Sequence, residues 1–284
     1  MSDADASISG ALVLVGTPIG NLGDLAPRAV EVLSAADWIA AEHPDHTRAL
    51  LTNAGVRAGN RLRAVHQHNE RDAATWIVDA IASGSTVAYA SDAGMPGISD
   101  PGEALVHAVV EAGLPVEVVP GPSAFLTALV VSALPTDRFT FEGFLPRKGP
   151  ERRARLAAVA ASSCTVAIYE SPHRVGDTLQ DLAAACGDDR ACAVVRELTK
   201  RFEEVVRGPL GTIAAAEPVG RGEYVIVIAG RDDVQVDADD ATVRDALRRE
   251  ITDGATARDA AATVAAELGV PKRRAYELAI RIDT

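Results

Sequence analysis

The chain has 284 residues, 48% of them hydrophobic, and carries 28 lysines and arginines against 40 aspartates and glutamates, for a formal net charge of −12. That size buries one large core or two moderate ones, and the acidic surplus excludes a protein that coats nucleic acid without selectivity, because neutralising phosphates takes an excess of cationic side chains. No apolar run approaches the roughly 18 residues that span a bilayer, and the start of the chain, with Asp3 and Asp5, lacks a basic n-region, so a cytoplasmic protein is expected.

Apolar strand segments at 11–15 (ALVLV), 37–41, 86–90 (TVAYA) and 115–119 (PVEVV) alternate with amphipathic helices, which predicts an α/β unit with a largely parallel sheet. Pro27 takes a first helical position, Asn69 caps ERDAATWIVDAIA, and Asp100-Pro101 opens the segment that ends at Gly113. Further strands follow at 139–144, 165–170, 191–196, 202–207 and 223–229, and the short connections among them predict antiparallel pairs. Past Gly230 the stretch RDDVQVDADDA is acidic and free of aromatics, as linkers are, and a small helical unit follows. The expected division is 10–121, 122–231 and 232–284.

Three loops carry the chemistry. VGTPIGNLGD at 15–24 places Gly16, Gly20 and Gly23 after the first strand, where backbone can turn and approach a ligand with no Cβ in the way, although the spacing is not that of a dinucleotide fingerprint. SDAGMPGISDPG at 91–102 follows TVAYA at a strand's carboxyl end, where open α/β sheets bind ligands, and its glycines, prolines and aspartates specify a rigid, polar loop. PGPSA at 120–124 offers Ser123 and backbone amides to an anionic group. The three cysteines, Cys164, Cys186 and Cys192, form no CxxC and read as reduced core thiols. The six histidines show no recurring ligand pattern, His66 and His68 at most sharing one strand face, so no metal is expected.

With FEGFLPRKG at 141–149, YESPHR at 169–174, RELTKRFEEVVRG at 196–208 and GEYVIVIAG at 222–230, these loops resemble the bacterial 16S rRNA 2′-O-methyltransferases of the tetrapyrrole-methylase superfamily, from residue 11 to about 282. The resemblance implies two α/β domains with S-adenosylmethionine in the cleft between them, a helical C-terminal extension, a homodimer, and methylation of the ribose of cytidine 1402. It implies cofactor contacts from Pro18, Asp92, Gly94, Met95, Ile98, Ser99, Pro120, Ser123, Ala124, Tyr169 and Glu170. It fails locally. Where family members read Glu-Asp-Thr-Arg this chain has Glu42-His43-Pro44-Asp45, which should shift a helix start towards Asp45, and Met95 replaces the usual threonine.

A ribose hydroxyl is a weak acid, so a nearby carboxylate or amine serves as proton acceptor, and the candidates are Glu197, Lys200, Glu170 and His173. Glu197 and Lys200 stand three apart, so on an extended chain only one of them would face the cleft. Basic residues gather at Arg147, Lys148, Arg152, Arg153 and Arg174, and again at Lys272, Arg273 and Arg274, which occupy the first turn of the second helix in a helix-turn-helix silhouette. Both groups are candidate RNA contacts. Two rival readings share the fold: a methyltransferase for a tetrapyrrole or other small acceptor, and a weakly catalytic RNA-binding module.

Overall fold

The computed structural model describes residues 10–216, 218–231 and 238–282, and the acidic linker stretch at 232–237 lies outside them. The first sheet is five-stranded and wholly parallel, in the order β3-β2-β4-β1-β5, from β1 (Leu12–Val15), β2 (Trp38–Ala41), β3 (Leu62–Ala64), β4 (Val87–Ala90) and β5 (Val116–Val119). Helices α1 (Pro27–Ala35), α2 (Pro44–Asn53), α3 (Glu70–Ala82) and α4 (Glu103–Glu111) make the crossovers. All four residues of β4 are buried, as a central parallel strand covered on both faces requires. Because β1 lies between β4 and β5, the loops that follow these three strands leave side by side from one carboxyl edge.

The second sheet is mixed, in the order β6-β7-β10-β8-β9, from β6 (Phe139–Phe144), β7 (Thr165–Glu170), β8 (Ala191–Arg196), β9 (Glu204–Pro209) and β10 (Tyr224–Ile228). Only the β6 and β7 pair is parallel; β10 runs antiparallel to β7 and β8, and β8 to β9. Helices α5 (Ala124–Val131), α6 (Gly149–Ala161), α7 (Val175–Cys186) and α8 (Leu210–Ala215) accompany it. Ile19, from the loop after β1, is buried with Val195, Leu198 and Val225, so apolar packing joins the two halves beside the cleft.

Past the linker stretch the described residues form three helices, α9 (Asp240–Thr252), α10 (Ala257–Leu268) and α11 (Lys272–Ala279), around their own core of Val243, Leu247, Val264 and Leu278. Gly269 closes α10 in the left-handed conformation that a helix C-cap favours.

Several expectations need correction. β3 has no sequence counterpart because its three residues are only partly buried or exposed and show no apolar run. The strand expected at 202–207 begins two residues later, after a turn at 197–202. Asn69 stands at the N-cap of α3 without capping it, since its Oδ1 accepts from the His66 amide and its Nδ2 donates to the Ala64 carbonyl. α4 starts at Glu103 rather than at Pro101, and its cap comes from outside: Oε1 of Glu70 accepts from the amides of Gly102, Ala104 and Leu105 at 2.8, 3.0 and 3.2 Å. A carboxylate at a helix N-terminus is favoured by unsatisfied amides and by the dipole. Glu70→Ala is therefore expected to cost about 1–3 kcal/mol by stranding these amides, checked by urea unfolding.

Candidate active site

The chain turns sharply after β1 because two glycines cross. A Cβ on Gly16 would lie 2.6 Å from Cα of Gly121, and a Cβ on Gly121 would lie 2.8 Å from Cα of Gly16, so the loops after β1 and β5 touch backbone to backbone. The second loop, after β4, is clipped to the first by reciprocal amide bonds between Thr17 and Gly94, at 2.9 and 3.1 Å, and the buried Thr17 hydroxyl donates to the Ser91 carbonyl. The Met95 sulfur accepts from the Gly121 amide at 3.3 Å, so the residue that replaces a threonine ties the second loop to the third. Ser99 sits at φ 61°, a left-handed conformation that a non-glycine residue adopts only under constraint.

These loops face β7 and β10 across a cleft of about 410 Å³. The first half contributes Ile19, Glu42, Asp92 to Met95 and Ile98 to Asp100; the second contributes Ser123, Ala124, Phe144, Tyr169 to Pro172, and Glu223 to Val225. The Tyr169 hydroxyl accepts from the Phe125 amide at 3.2 Å, and Phe141 packs edge-on against its ring, which fixes the tyrosine at the cleft wall. Acidic groups dominate the polar lining. Burial, reinforced by Glu42 and Asp92, pushes the Asp100 carboxyl up to about 7, against a bonding contribution from Ser91. Burial also raises the Tyr169 phenol. A smaller recess of about 340 Å³ adjoins the cleft through Ile19, Asp92, Ala93 and Glu223, and includes Pro18, His46 and Lys200.

Of the cofactor residues expected from the sequence, Asp92, Gly94, Met95, Ile98, Ser99, Ser123, Ala124, Tyr169 and Glu170 line the cleft, Pro18 lines the recess, and Pro120 is exposed outside both. The proton-acceptor candidates fare differently. Glu170 has a fully buried side chain that accepts from the Ser171 amide and the Thr178 hydroxyl and pairs with Arg174, so its carboxylate is structural and not available as a base. His173 is exposed and is not among the residues that line the cleft, although its neighbour Pro172 is. Glu197 and Lys200 do not point to opposite sides. The chain turns there, with Glu197 at φ 52° and Thr199 at φ 64°, and the two side chains bond at 2.9 Å. Lys200 bonds Glu223 as well, also at 2.9 Å. Burial pulls the Lys200 ammonium down, but its bonds to Glu197 and Glu223 together outweigh this and hold it above the usual lysine range, so it stays protonated. The Lys200 bond in turn lowers the Glu197 carboxyl.

The basic residues also divide. Arg147, Lys148 and Arg153 are exposed at the start of α6, whose N-cap is Lys148. Arg152 is buried and bonds Asp181, Thr178 and the Pro146 carbonyl, and Arg174 bonds Glu170 and the Leu145 carbonyl, so both hold the second half together instead of facing RNA. In the tail Arg273 pairs with Glu277, and Arg274 bonds Asp240 and the Ala238 carbonyl, which ties α11 to α9. The altered segment at 42–45 is ordered differently from expectation: Pro44 is itself the first residue of α2, with His43 at the N-cap. Proline is suited to that place because the first helical amide has no intrahelical partner.

The tetrapyrrole (corrin/porphyrin) methylase family matches residues 11–214. The chain belongs to this family. Members named "Ribosomal RNA small subunit methyltransferase I" align along most of it: 41% identity over 277 residues to the Synechocystis sp. protein, covering 96% of this chain and 99% of that one. The Xylella fastidiosa member is 48% identical over 231 residues, covering 80% and 84%. Among solved structures, the methyltransferase CobJ superposes with a TM-score of 0.57 at 21% identity, covering 78% of this chain and 94% of its own. A uroporphyrin-III C-methyltransferase from Thermus thermophilus, complexed with S-adenosyl homocysteine, does so at 0.55 and 20%, covering 78% and 97%. At such identities these structures show the shared methylase fold.

Sequence reading missed Ile19, Phe144, Glu223 and Tyr224 as lining residues. All four lay within quoted motifs, but nothing in GEYVIVIAG placed Glu223 and Tyr224 at the cleft before β10 was set beside β7. It also missed a group that the fold assembles against the expectation of no metal pattern. His43, His46 and Asp92 bring their ligand atoms within 4.8 Å of one another. The HxxH spacing at the first turn of α2 was the available signal, but its third member comes from 46 residues further on. His66 and His68 pack ring to ring at 6.0 Å without a third ligand group among the described residues.

Proposed function

We propose that this protein transfers a methyl group from S-adenosylmethionine to the ribose 2′-hydroxyl of cytidine 1402 in 16S rRNA. The observation that carries the reading is the match, along nearly its whole length, to relatives named for the small ribosomal subunit's RNA. The cleft fits the cofactor. About 410 Å³ suits a ligand of that size, and the Gly16 and Gly121 crossing lets the loops after β1 and β5 pack backbone to backbone. Glu42, Asp92, Asp100 and Glu223 set negative charge around a place for a sulfonium cation. The cofactor supplies an electrophilic methyl group with a neutral leaving group; the chain must bind it, hold the acceptor in line and exclude water.

Asp100 makes cofactor binding depend on pH. A bound cation favours the ionised carboxylate, so affinity is expected to rise by up to about tenfold per pH unit as pH climbs towards 7 and to level off above it; calorimetry across this range checks it. In the cofactor-free protein the shift runs from the ordinary 3.8 to about 7, so the folded state holds the extra proton and stability declines as pH rises through that window. Asp100→Asn should flatten both profiles.

Lys200, protonated and bonded by two carboxylates at the recess, serves in this reading to hold a phosphate rather than to accept a proton. Lys200→Met is expected to weaken RNA binding while single-turnover methylation at saturating RNA keeps its rate. Residues 10–121 and 122–231 act as the two cofactor-binding units, and 232–284 as the RNA-docking tail, with Arg147, Lys148, Arg153, Lys272 and Arg273 as phosphate contacts. We further infer a homodimer working in the cytoplasm, where ribosomal subunits are; the edge strand β5 exposes Val118 for such a contact. Among the described residues no helix is long and apolar enough to cross a membrane.

The test is methyl transfer to small ribosomal subunits from cells lacking the gene, followed by mass mapping of the methylated ribose. Methylation of a tetrapyrrole instead would favour the small-acceptor reading, and RNA binding without transfer the non-catalytic one.

A further inference from the structure

We propose that His43, His46 and Asp92 form a site for a divalent transition-metal ion of zinc's class at the edge of the cofactor cleft. Nδ1 of His43 and Nδ1 of His46 each lie 2.8 Å from Oδ2 of Asp92, and the three ligand atoms fall within 4.8 Å of one another. The arrangement follows from the fold. β2 and β4 are adjacent parallel strands, so the segments after them leave from one edge; one starts α2 and the other carries Asp92. His43 at the N-cap and His46 one turn on share a side of the helix, and Pro44 between them restricts the backbone of that turn.

Hydrogen bonding alone uses this carboxylate unevenly. Both imidazoles donate to Oδ2, while Oδ1 of the same group is buried and has no hydrogen-bond partner. A cation among the donors would instead engage the carboxylate as a ligand, with its second oxygen in reach. Two imidazole nitrogens and a carboxylate suit zinc, cobalt or nickel, whereas magnesium and calcium prefer all-oxygen shells. Three protein ligands leave a coordination position open. The histidine side chains are 60% and 70% exposed, so an ion has a path in. The recess lined by His46, Asp92, Lys200 and Glu223 lies on that side. Positive charge here would also offset the carboxylates crowded at this edge.

Cobalt(II) titrated into the full-length protein after chelator treatment tests the site, because its visible absorption reports bound nitrogen and oxygen ligands. One ion per chain is expected, bound at micromolar concentration or tighter, with zinc displacing it. His43→Ala and His46→Ala should each weaken binding by more than about a hundredfold, since even losing an outer-shell partner costs about 10–100-fold. His68→Ala should leave binding unchanged. Binding only at millimolar cobalt, or binding of equal strength in the His43 and His46 variants, overturns the proposal. Because the readout is metal binding, its failure leaves the methyltransferase reading untouched.

Discussion

Gly121→Ala is expected to lower cofactor affinity by about a hundredfold or more, equivalent to about 2.7 kcal/mol, and to destabilise the fold by about 1–3 kcal/mol through overpacking. The added methyl group would stand 2.8 Å from both Cα and the carbonyl carbon of Gly16, and backbone cannot rotate out of the way as a side chain can. Relief requires the loops after β1 and β5 to separate. That breaks the register in which the Gly121 amide meets the Met95 sulfur and the Gly16 amide meets the Val119 carbonyl. Gly16→Ala should behave alike, with its Cβ 2.6 Å from the Gly121 amide nitrogen. Calorimetry with S-adenosylmethionine and thermal unfolding decide the matter together. Unchanged affinity in a folded Gly121→Ala protein would mean that the cofactor lies elsewhere.

Arg152→Ala should cost about 3 kcal/mol, at the lower end for breaking a buried ion pair because Asp181 keeps some access to water. Its guanidinium bonds Asp181, the Pro146 carbonyl and the Thr178 hydroxyl, and that hydroxyl in turn donates to the buried Glu170. Removing the arginine therefore loosens the carboxylate at the end of β7 as well as the start of α6. Its neighbour Arg153 is exposed, and Arg153→Ala should change stability by no more than about 0.5 kcal/mol while reducing the salt slope of RNA binding by about 1. Urea unfolding and RNA binding at several salt concentrations separate the two arginines. Equal stability of the two variants would refute the structural role given to Arg152.

What the residues revealed by themselves was the local pattern. Strand and helix periods are short-range properties, so nine of the ten strands among the described residues and the three ligand loops were readable, and the exception, β3, is too short and too exposed to show an apolar run. The glycine spacing in VGTPIGNLGD and SDAGMPGISDPG marked turning loops for the same reason, since a backbone that must turn or approach another segment closely excludes side chains at fixed positions. Tertiary structure alone decided how charges are used. Arg152, Arg174 and Arg274 read as cationic contacts in a string of letters, yet each meets carboxylates or carbonyls delivered by distant segments. Glu170 and Lys200 read as possible bases, until burial, hydrogen bonding and neighbouring charge set what each can do with a proton. The grouping of His43 and His46 with Asp92 has the same origin. Two adjacent parallel strands bring together residues 46 and 49 positions apart, and strand order is settled by the packing of the whole sheet rather than by any local sequence.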